Sequence, residues 1–551
     1  LFKYNHEKNV VESFYHDVND KNTISENNIF SLYYNDSKLW IGTKTGGLNI
    51  MNLKDYSIKR YAHDPSNPNS IPSNLIRDIL KDKDGNMWLA TDQGLAHFDE
   101  KNETFYTYTS NTDKHSICDN NIINLYQDRL GVIWIGTFSG ISKFFPNNDF
   151  EVYRNDPSDD NSLSSSSVCG IYEDDEGNVW IGTFNAGINK VSGDKVTRYY
   201  NDLNDVNSLS SNRVKDITGI ENEIWIATDN GLNKYDKDTE KFTVYKKTDD
   251  ENSVVNSEIR VLYIDRDGLL WIGTRGGIST FDREENFTSY NEVLEKNGIY
   301  EKTISAIYED SEGIMWFGLG NDGGLVSYNR ETGEVKNYLN DENNENSLSF
   351  NNVRSISEDG YGNIWIGTQD GLNKLNKKTE KFTVYSFNDG LSNNFIYGVI
   401  VDDYDNIWAT TNYGLSMYDQ NEEKFVRYYE ADGLATNEFN GFSYHKNKDG
   451  QIYVGGVNGV TKFNPRELQL KMETSNVIID SIKTIGGLEV DLRHKVVLEY
   501  DSRELYIKFF IPEYKNMNQM QYAYKLEGMD SEWTFSGTEN YARYASIPPG
   551  K

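Results

Sequence analysis

The sequence predicts an all-β fold assembled from four-stranded propeller blades, and three observations predict it. Aromatic residues make up 13% of the chain, with 38 Tyr and 10 Trp, which no acidic disordered chain carries. They sit with β-branched residues between short Asn/Asp/Gly-rich stretches, the pattern of many short strands. Most telling, one phrase recurs. Trp40-Ile41-Gly42-Thr43 returns at Trp134, Trp180, Trp271 and Trp365, with looser copies at Trp88, Trp225, Trp316 and Trp408 and a tenth in which Tyr453 replaces Trp. Successive anchors are 48, 46, 46, 45, 46, 45, 49, 43 and 45 residues apart, the period of propeller blades.

The unit at 348–387 can be read element by element. Residues 348–352 (Leu-Ser-Phe-Asn-Asn) are a polar lead-in, and 353–357 the first strand. Asp359-Gly360-Tyr361-Gly362-Asn363 is a turn, because Asp and Gly supply the conformations a tight reversal needs. Residues 364–368 are the second strand, 369–371 a loop, 372–375 the third strand, 377–380 a turn and 382–385 the fourth strand. Such lengths suit blade strands. The Trp and the fourth-strand aromatics are expected to pack between neighbouring blades. Aligned first strands place Ser31, Asp78, Asn124, Gly170, Asp216, Val261, Ala306, Ser355, Gly398 and Gly441 in one column of small or short residues, as converging inner strands require.

Composition removes several function classes. A length of 551 residues leaves room for about three or four domains, each with a full core. The net charge of −31 opposes nucleic acid and a basic membrane-surface patch. Two cysteines, Cys118 and Cys169, make no CxxC, and the histidines at 6, 16, 63, 97, 115, 445 and 494 are scattered, so no metal or other cofactor is expected. No apolar run approaches membrane-spanning length, and the polar opening is not a signal peptide. The turns at Asp82, Asp265 and Asn447 mimic the start of a calcium loop but lack its distal Glu, and Asp-Gly is itself a hairpin turn. Asp175 to Trp180 resembles the Asp-box turn of sialidases and related glycosidases, but the other units place the acid differently, as in Asp359, and lack its Ser and Thr. No nucleophile triad, phosphate loop or nucleotide fingerprint appears, so no catalytic residue is expected.

The phrases Asn-Ser-Leu-Ser-Ser-Asn at 207–212, Asp-Glu-Gly-Asn at 175–178, Trp-Ile-Gly-Thr at 180–183 and Gly-Leu-Asn-Lys-Tyr-Asp at 231–236 resemble the regulator-propeller repeat of bacterial two-component sensors. The tail, with Glu499-Tyr500, 505–510, Tyr522-Ala523-Tyr524, Trp533, Tyr544 and Ile547-Pro548-Pro549-Gly550-Lys551, resembles the three-Tyr (Y_Y_Y) immunoglobulin-like domain that follows such propellers. The resemblance implies tandem propellers: a partial first one at 1–156, a seven-bladed second at 157–467, and a three-Tyr β-sandwich at 468–551, cut at its C-terminal end. Both ends of the sequence read as cuts within a longer receptor. It further implies an extracytoplasmic position, a homodimer formed through the three-Tyr region, and oligosaccharide ligands. The output would lie across the membrane, as a histidine kinase, a diguanylate cyclase or a DNA-binding regulator.

In a blade, the lead-in and the loop between second and third strands lie on one face. In the second propeller that face collects Phe184, Asn185, Asp229, Asn230, Arg275, Asn321, Asp322, Gln369, Asp370, Asn412, Tyr413 and Asn458. The inner strands add Lys215, Arg260, Arg354, Tyr397 and Asn440. These positions vary between repeats whereas the Trp column does not, and a repeat protein distinguishes its ligand by such variation. Aromatics beside amides and guanidiniums suit a polyol, whose C–H faces stack while its hydroxyls hydrogen-bond. The candidate ligand residues are Phe184, Asn185, Arg260, Arg275, Asn321, Asp322, Arg354, Gln369, Tyr397, Asn412, Tyr413 and Asn440. Two other readings compete with ligand sensing: a propeller glycosidase or lyase, and a scaffold whose faces bind another protein.

Overall fold

The computed structural model describes the chain apart from residues 112–115, 129–130, 145, 147–149, 283, 470–475, 485–503, 512–521, 546 and 548–551. Glu499, Tyr500 and the Pro548 to Lys551 motif of the tail thus lie outside the described residues, as do His115 and His494. Two units are present, one of residues 149–472 and one of 1–148 with 473–551.

The first of these units is a closed ring of seven four-stranded antiparallel blades. Their inner strands are Val168–Glu173, Val214–Ile220, Ile259–Ile264, Ile304–Glu309, Val353–Glu358, Ile396–Val401 and Phe439–Lys446, here blades one to seven. Each inner strand lies against the next, and the last returns to Val168–Glu173. Closure is completed at the rim. Blade seven supplies only three strands in sequence, and Phe150–Tyr153 pairs with Gly459–Phe463 as its fourth. The ring therefore starts ahead of the first lead-in loop. Phe150 is buried against Tyr428 and Phe463.

The repeated phrase is explained residue by residue. Each Trp packs between blades: Trp365 stacks on Tyr385 of its own outer strand (5.7 Å) and meets Tyr418 of the next blade (5.8 Å). The following Ile is fully buried at 181, 226, 272 and 366. The Gly gives the next inner strand room to approach. A Cβ on Gly367 would lie 2.6 Å from Ser355 Oγ and 2.7 Å from Ile396 Cγ2. The Thr hydroxyl donates across the loop, as from Thr183 to the Gly187 carbonyl at 2.9 Å.

The small-residue column lies opposite that Gly or its equivalent, as in Ser355 against Gly367 and Ala306 against Gly318. Blade seven departs from it. Its inner strand carries a longer register shift, between Phe439 and Tyr444, with Phe442 at φ 63°. As a result Ser443, not Gly441, faces Gly455.

The second unit contains three successive blades whose inner strands are Ile29–Asn35, Ile76–Lys81 and Ile122–Gln127. This is a partial propeller. Its C-terminal part has a sheet of Ile478–Thr484, Leu505–Phe510 and Tyr541–Tyr544 and a pair of Tyr522–Tyr524 with Thr534–Gly537. Phe509, Tyr522, Tyr524 and Tyr544 form a shared core between these sheets. Among the described residues no helix is long and apolar enough to cross a membrane.

Candidate ligand-binding site at the ring mouth

All seven inner strands carry a register shift directly after their first paired residue. A bulge leaves a residue unpaired and re-aims its side chain. In blades two to six the bulged residues are Lys215, Arg260, Ser305, Arg354 and Tyr397. The variable inner-strand positions are thus the ones the backbone turns out of the ladder. The lead-in and second-to-third loops do share this face: the Phe184 amide donates to the Ser167 carbonyl, and the Gly187 amide to that of Asn212, both at 3.0 Å.

A cavity of about 350 Å³ opens there over blades three to five, lined by Arg260, Arg275, Asn321, Arg354 and Gln369 together with Thr303, Ser305, Gly320 and Asn352. Five of the sequence-derived candidates therefore share one space. Arg354 lies over the rings of Phe395 (5.1 Å) and Tyr397 (5.8 Å), and Arg260 is 5.9 Å from the ring of Phe442. Phe442 also lines a second cavity of about 600 Å³ that runs into the channel. Burial lowers the affinity of both guanidiniums for their proton, and for Arg354 neighbouring Arg260 adds to the effect. Both remain cationic, since arginine starts so high.

Other candidates take different places. Tyr397 donates from its hydroxyl to Asn412 Oδ1 at 3.2 Å, which fixes its ring beside Arg354. Asn440 donates to the Val168 carbonyl at 2.9 Å, bridging blade seven to blade one. Asn321 donates to Thr303 Oγ1 at 3.1 Å. Asn321 and Asp322 have φ of 45° and 70°, and both side chains are exposed. Phe184 lies under Arg213 (4.7 Å) and Lys215 (5.4 Å), and Tyr413 packs on Tyr429. Asn185 is exposed. Phe184, Asn185, Asp322, Asn412, Tyr413 and Asn440 are not among the residues lining the 350 Å³ cavity.

Sequence reasoning missed Thr303, Ser305 and Asn352. Ser305 occupies the same bulge position as Arg260 and Arg354, so the same column would have found it. Its hydroxyl donates to the Val353 carbonyl at 2.5 Å, tying blade four to blade five.

The two component regulator propeller repeat matches at 70–93, 116–139, 162–185, 253–276, 301–321 and 347–370, and the Y_Y_Y domain at 513–551. A curated relative, Histidine kinase P4 of Formosa agariphila, is 26% identical over 340 residues. That match covers 58% of this chain and 21% of the kinase, so the chain spans a minor part of that relative's length. Among solved structures, the extracellular domain of the putative hybrid two component system BT3049 from B. thetaiotaomicron aligns with TM-score 0.65 and 24% identity, over 99% of this chain and 84% of that one. The corresponding domain of BT4673 from the same organism aligns with TM-score 0.48 and 23% identity, over 100% and 74%.

Proposed function

We propose that this chain, which carries two-component-regulator propeller repeats and a Y_Y_Y domain, is the extracytoplasmic sensor region of a membrane-bound receptor. It binds an oligosaccharide at the mouth of the seven-bladed ring. The Y_Y_Y domain, as a homodimer contact, passes the signal to an output domain across the membrane. One observation carries the ligand part: bulges turn Arg260, Ser305 and Arg354 into a single polar cavity flanked by Phe395, Tyr397 and Phe442. A rigid scaffold with variable side chains at one mouth is suited to recognition. A ligand bound there biases the receptor only by favouring one arrangement of the dimer over another.

The test is a thermal-shift screen of the purified chain against oligosaccharides of defined length, with the products examined afterwards. A sensor's ligand raises the melting temperature by mass action and is recovered intact. That shift is lost in Tyr397→Ala. Degradation of the glycan would favour the glycosidase or lyase reading. No shift with any glycan would favour a protein partner.

A further inference from the structure

Arginine at the bulge position has two uses in this chain. In the partial propeller, Arg77 occupies the bulge of its inner strand, and its Nη1 donates to Asn121 Oδ1 at 2.6 Å and to the Ile122 carbonyl at 2.7 Å. That arginine is a strut between blades. Arg260 and Arg354 sit at the same position and make no such bonds. The Nε–H of each is buried without a hydrogen-bond acceptor among the described residues.

The charges around them do not balance. Glu258 is committed to Arg275 at 3.3 Å and reaches Arg260 only at 4.0 Å. Asp229 pairs with Arg213 at 3.5 Å. Glu301 accepts from the Thr303 amide at 2.7 Å and lies 3.4 Å from Asn321 Nδ2. Arg354 has no carboxylate partner among the described residues and lies over the rings of Phe395 and Tyr397. Lys215, the bulged residue of blade two, lies over the ring of Phe184 and shares Asp229 with Arg213. In a chain of net charge −31, three cations thus gather around one mouth with two carboxylates that Arg275 and Arg213 already engage, and Arg354 has none. Buried guanidinium N–H groups without acceptors cost stability unless something supplies the acceptor. Phe442 adds strain beside Arg260, since a bulky residue at φ 63° is rare outside functional sites.

We infer that the ring mouth is an oxyanion site, and that the sensed oligosaccharide carries a carboxylate or sulfate group held by Arg260 and Arg354. The inference rests on the sensing reading above and narrows its ligand class. Arginine's planar fork matches both groups, and Asn352 and Gln369 remain at the cavity wall for hydroxyls.

The experiment titrates the whole chain with three glycans of equal length, one neutral, one containing uronate and one sulfated, and with sodium sulfate alone. The acidic glycans are expected to bind and the neutral one not, with affinity falling as salt rises. Arg354→Gln should weaken acidic-glycan binding roughly 30-fold or more, and Arg354→Lys should recover only part of it. The ligand-free melting temperature of Arg354→Gln should not fall, because it removes an uncompensated charge. That separates a binding arginine from a strut, for which Arg77→Gln is the comparison and should melt lower. Equal binding of neutral and acidic glycans would overturn the oxyanion site but leave oligosaccharide sensing intact. Arg354-dependent binding of sulfate alone, with no glycan bound, would support the oxyanion site and overturn the oligosaccharide reading. Glycan binding unaffected by Arg354→Gln and Arg260→Gln would overturn the site.

Discussion

The indole Nε1–H of Trp365 donates to Asp359 Oδ2 at 2.8 Å across a turn of six residues. The same link joins Asp82 to Trp88, Asp128 to Trp134, Asp174 to Trp180, Asp265 to Trp271, Asp310 to Trp316 and Asp402 to Trp408. The other carboxylate oxygen of Asp359 takes the amides of Tyr361 and Asn363. One side chain thus shapes the turn and satisfies a buried indole. Of the turns that mimic a calcium loop, those led by Asp82 and Asp265 spend their acid in this way.

Asp359→Ala should therefore cost about 2–4 kcal/mol, because it orphans a buried indole and the turn amides together. Asp175→Ala, at an exposed carboxylate in an equivalent turn, should cost under about 0.5 kcal/mol. Urea denaturation of both variants checks the contrast. Calcium should leave the parent's midpoint unchanged, since the leading acid is already bonded.

The motif glycine makes a second prediction. A Cβ at Gly367 would meet the branched Ile396 of the next blade, which cannot swing away as the tip of a long side chain could. Gly367→Ala should destabilise by about 1–3 kcal/mol through overpacking. Gly177→Ala is the control: nothing lies within 4 Å of its added carbon, so any loss there comes from its φ of 79°. A loss at 367 no larger than at 177 would remove the packing explanation.

These two features show why the fold was legible and the site less so. Trp, Ile, Gly and Thr recur because each blade buries the same surface against the next, and repetition exposes the period and the strands. The ring-closing strand was not legible, because Phe150–Tyr153 belongs in sequence to the preceding segment and pairs with Gly459–Phe463 only in space. The site was half legible. Arg260 and Arg354 stand out as variable positions on inner strands, but that Arg77 is bonded and they are not depends on neighbours from other blades. The longer register shift of blade seven, which moves Ser443 into the small-residue position, has no local sequence signal.

Ring closure can be tested directly. Phe150→Ala removes a buried ring from the contact with Tyr428 and Phe463 and should cost about 3–5 kcal/mol. Loss at the seam should also free the outer edge of blade seven. Hydrogen exchange in Gly459–Phe463 should rise more than in Leu372–Asn376 of blade five, which is paired to its own outer strand. Uniform acceleration in both would show that the seam is not a separate weak point.

Two buried groups in the channel oppose each other in their response to pH. Burial raises the Asp216 carboxyl to about 7, although it accepts the amides of Leu262 and Ile217, and burial lowers the His445 imidazole to about 4. His445 Nε2 has no partner among the described residues. For Asp216 the folded value exceeds the unfolded one, so its contribution is complete below about pH 4 and is lost as pH rises through 7. For His445 the folded value lies below the unfolded one, so its contribution is complete above about pH 6.5 and is lost as pH falls through 4. Each effect is on the order of 3–4 kcal/mol when fully titrated, and over pH 4–7 they run in opposite directions. The parent's stability should change little in this window. Asp216→Asn should leave only the histidine term, so stability falls on acidification. His445→Leu should leave only the carboxylate term, so stability falls as pH rises. Urea denaturation at half-unit intervals from pH 4 to 7.5 measures all three. Parallel curves for parent and variants would show that neither group titrates within the folded ring over this range.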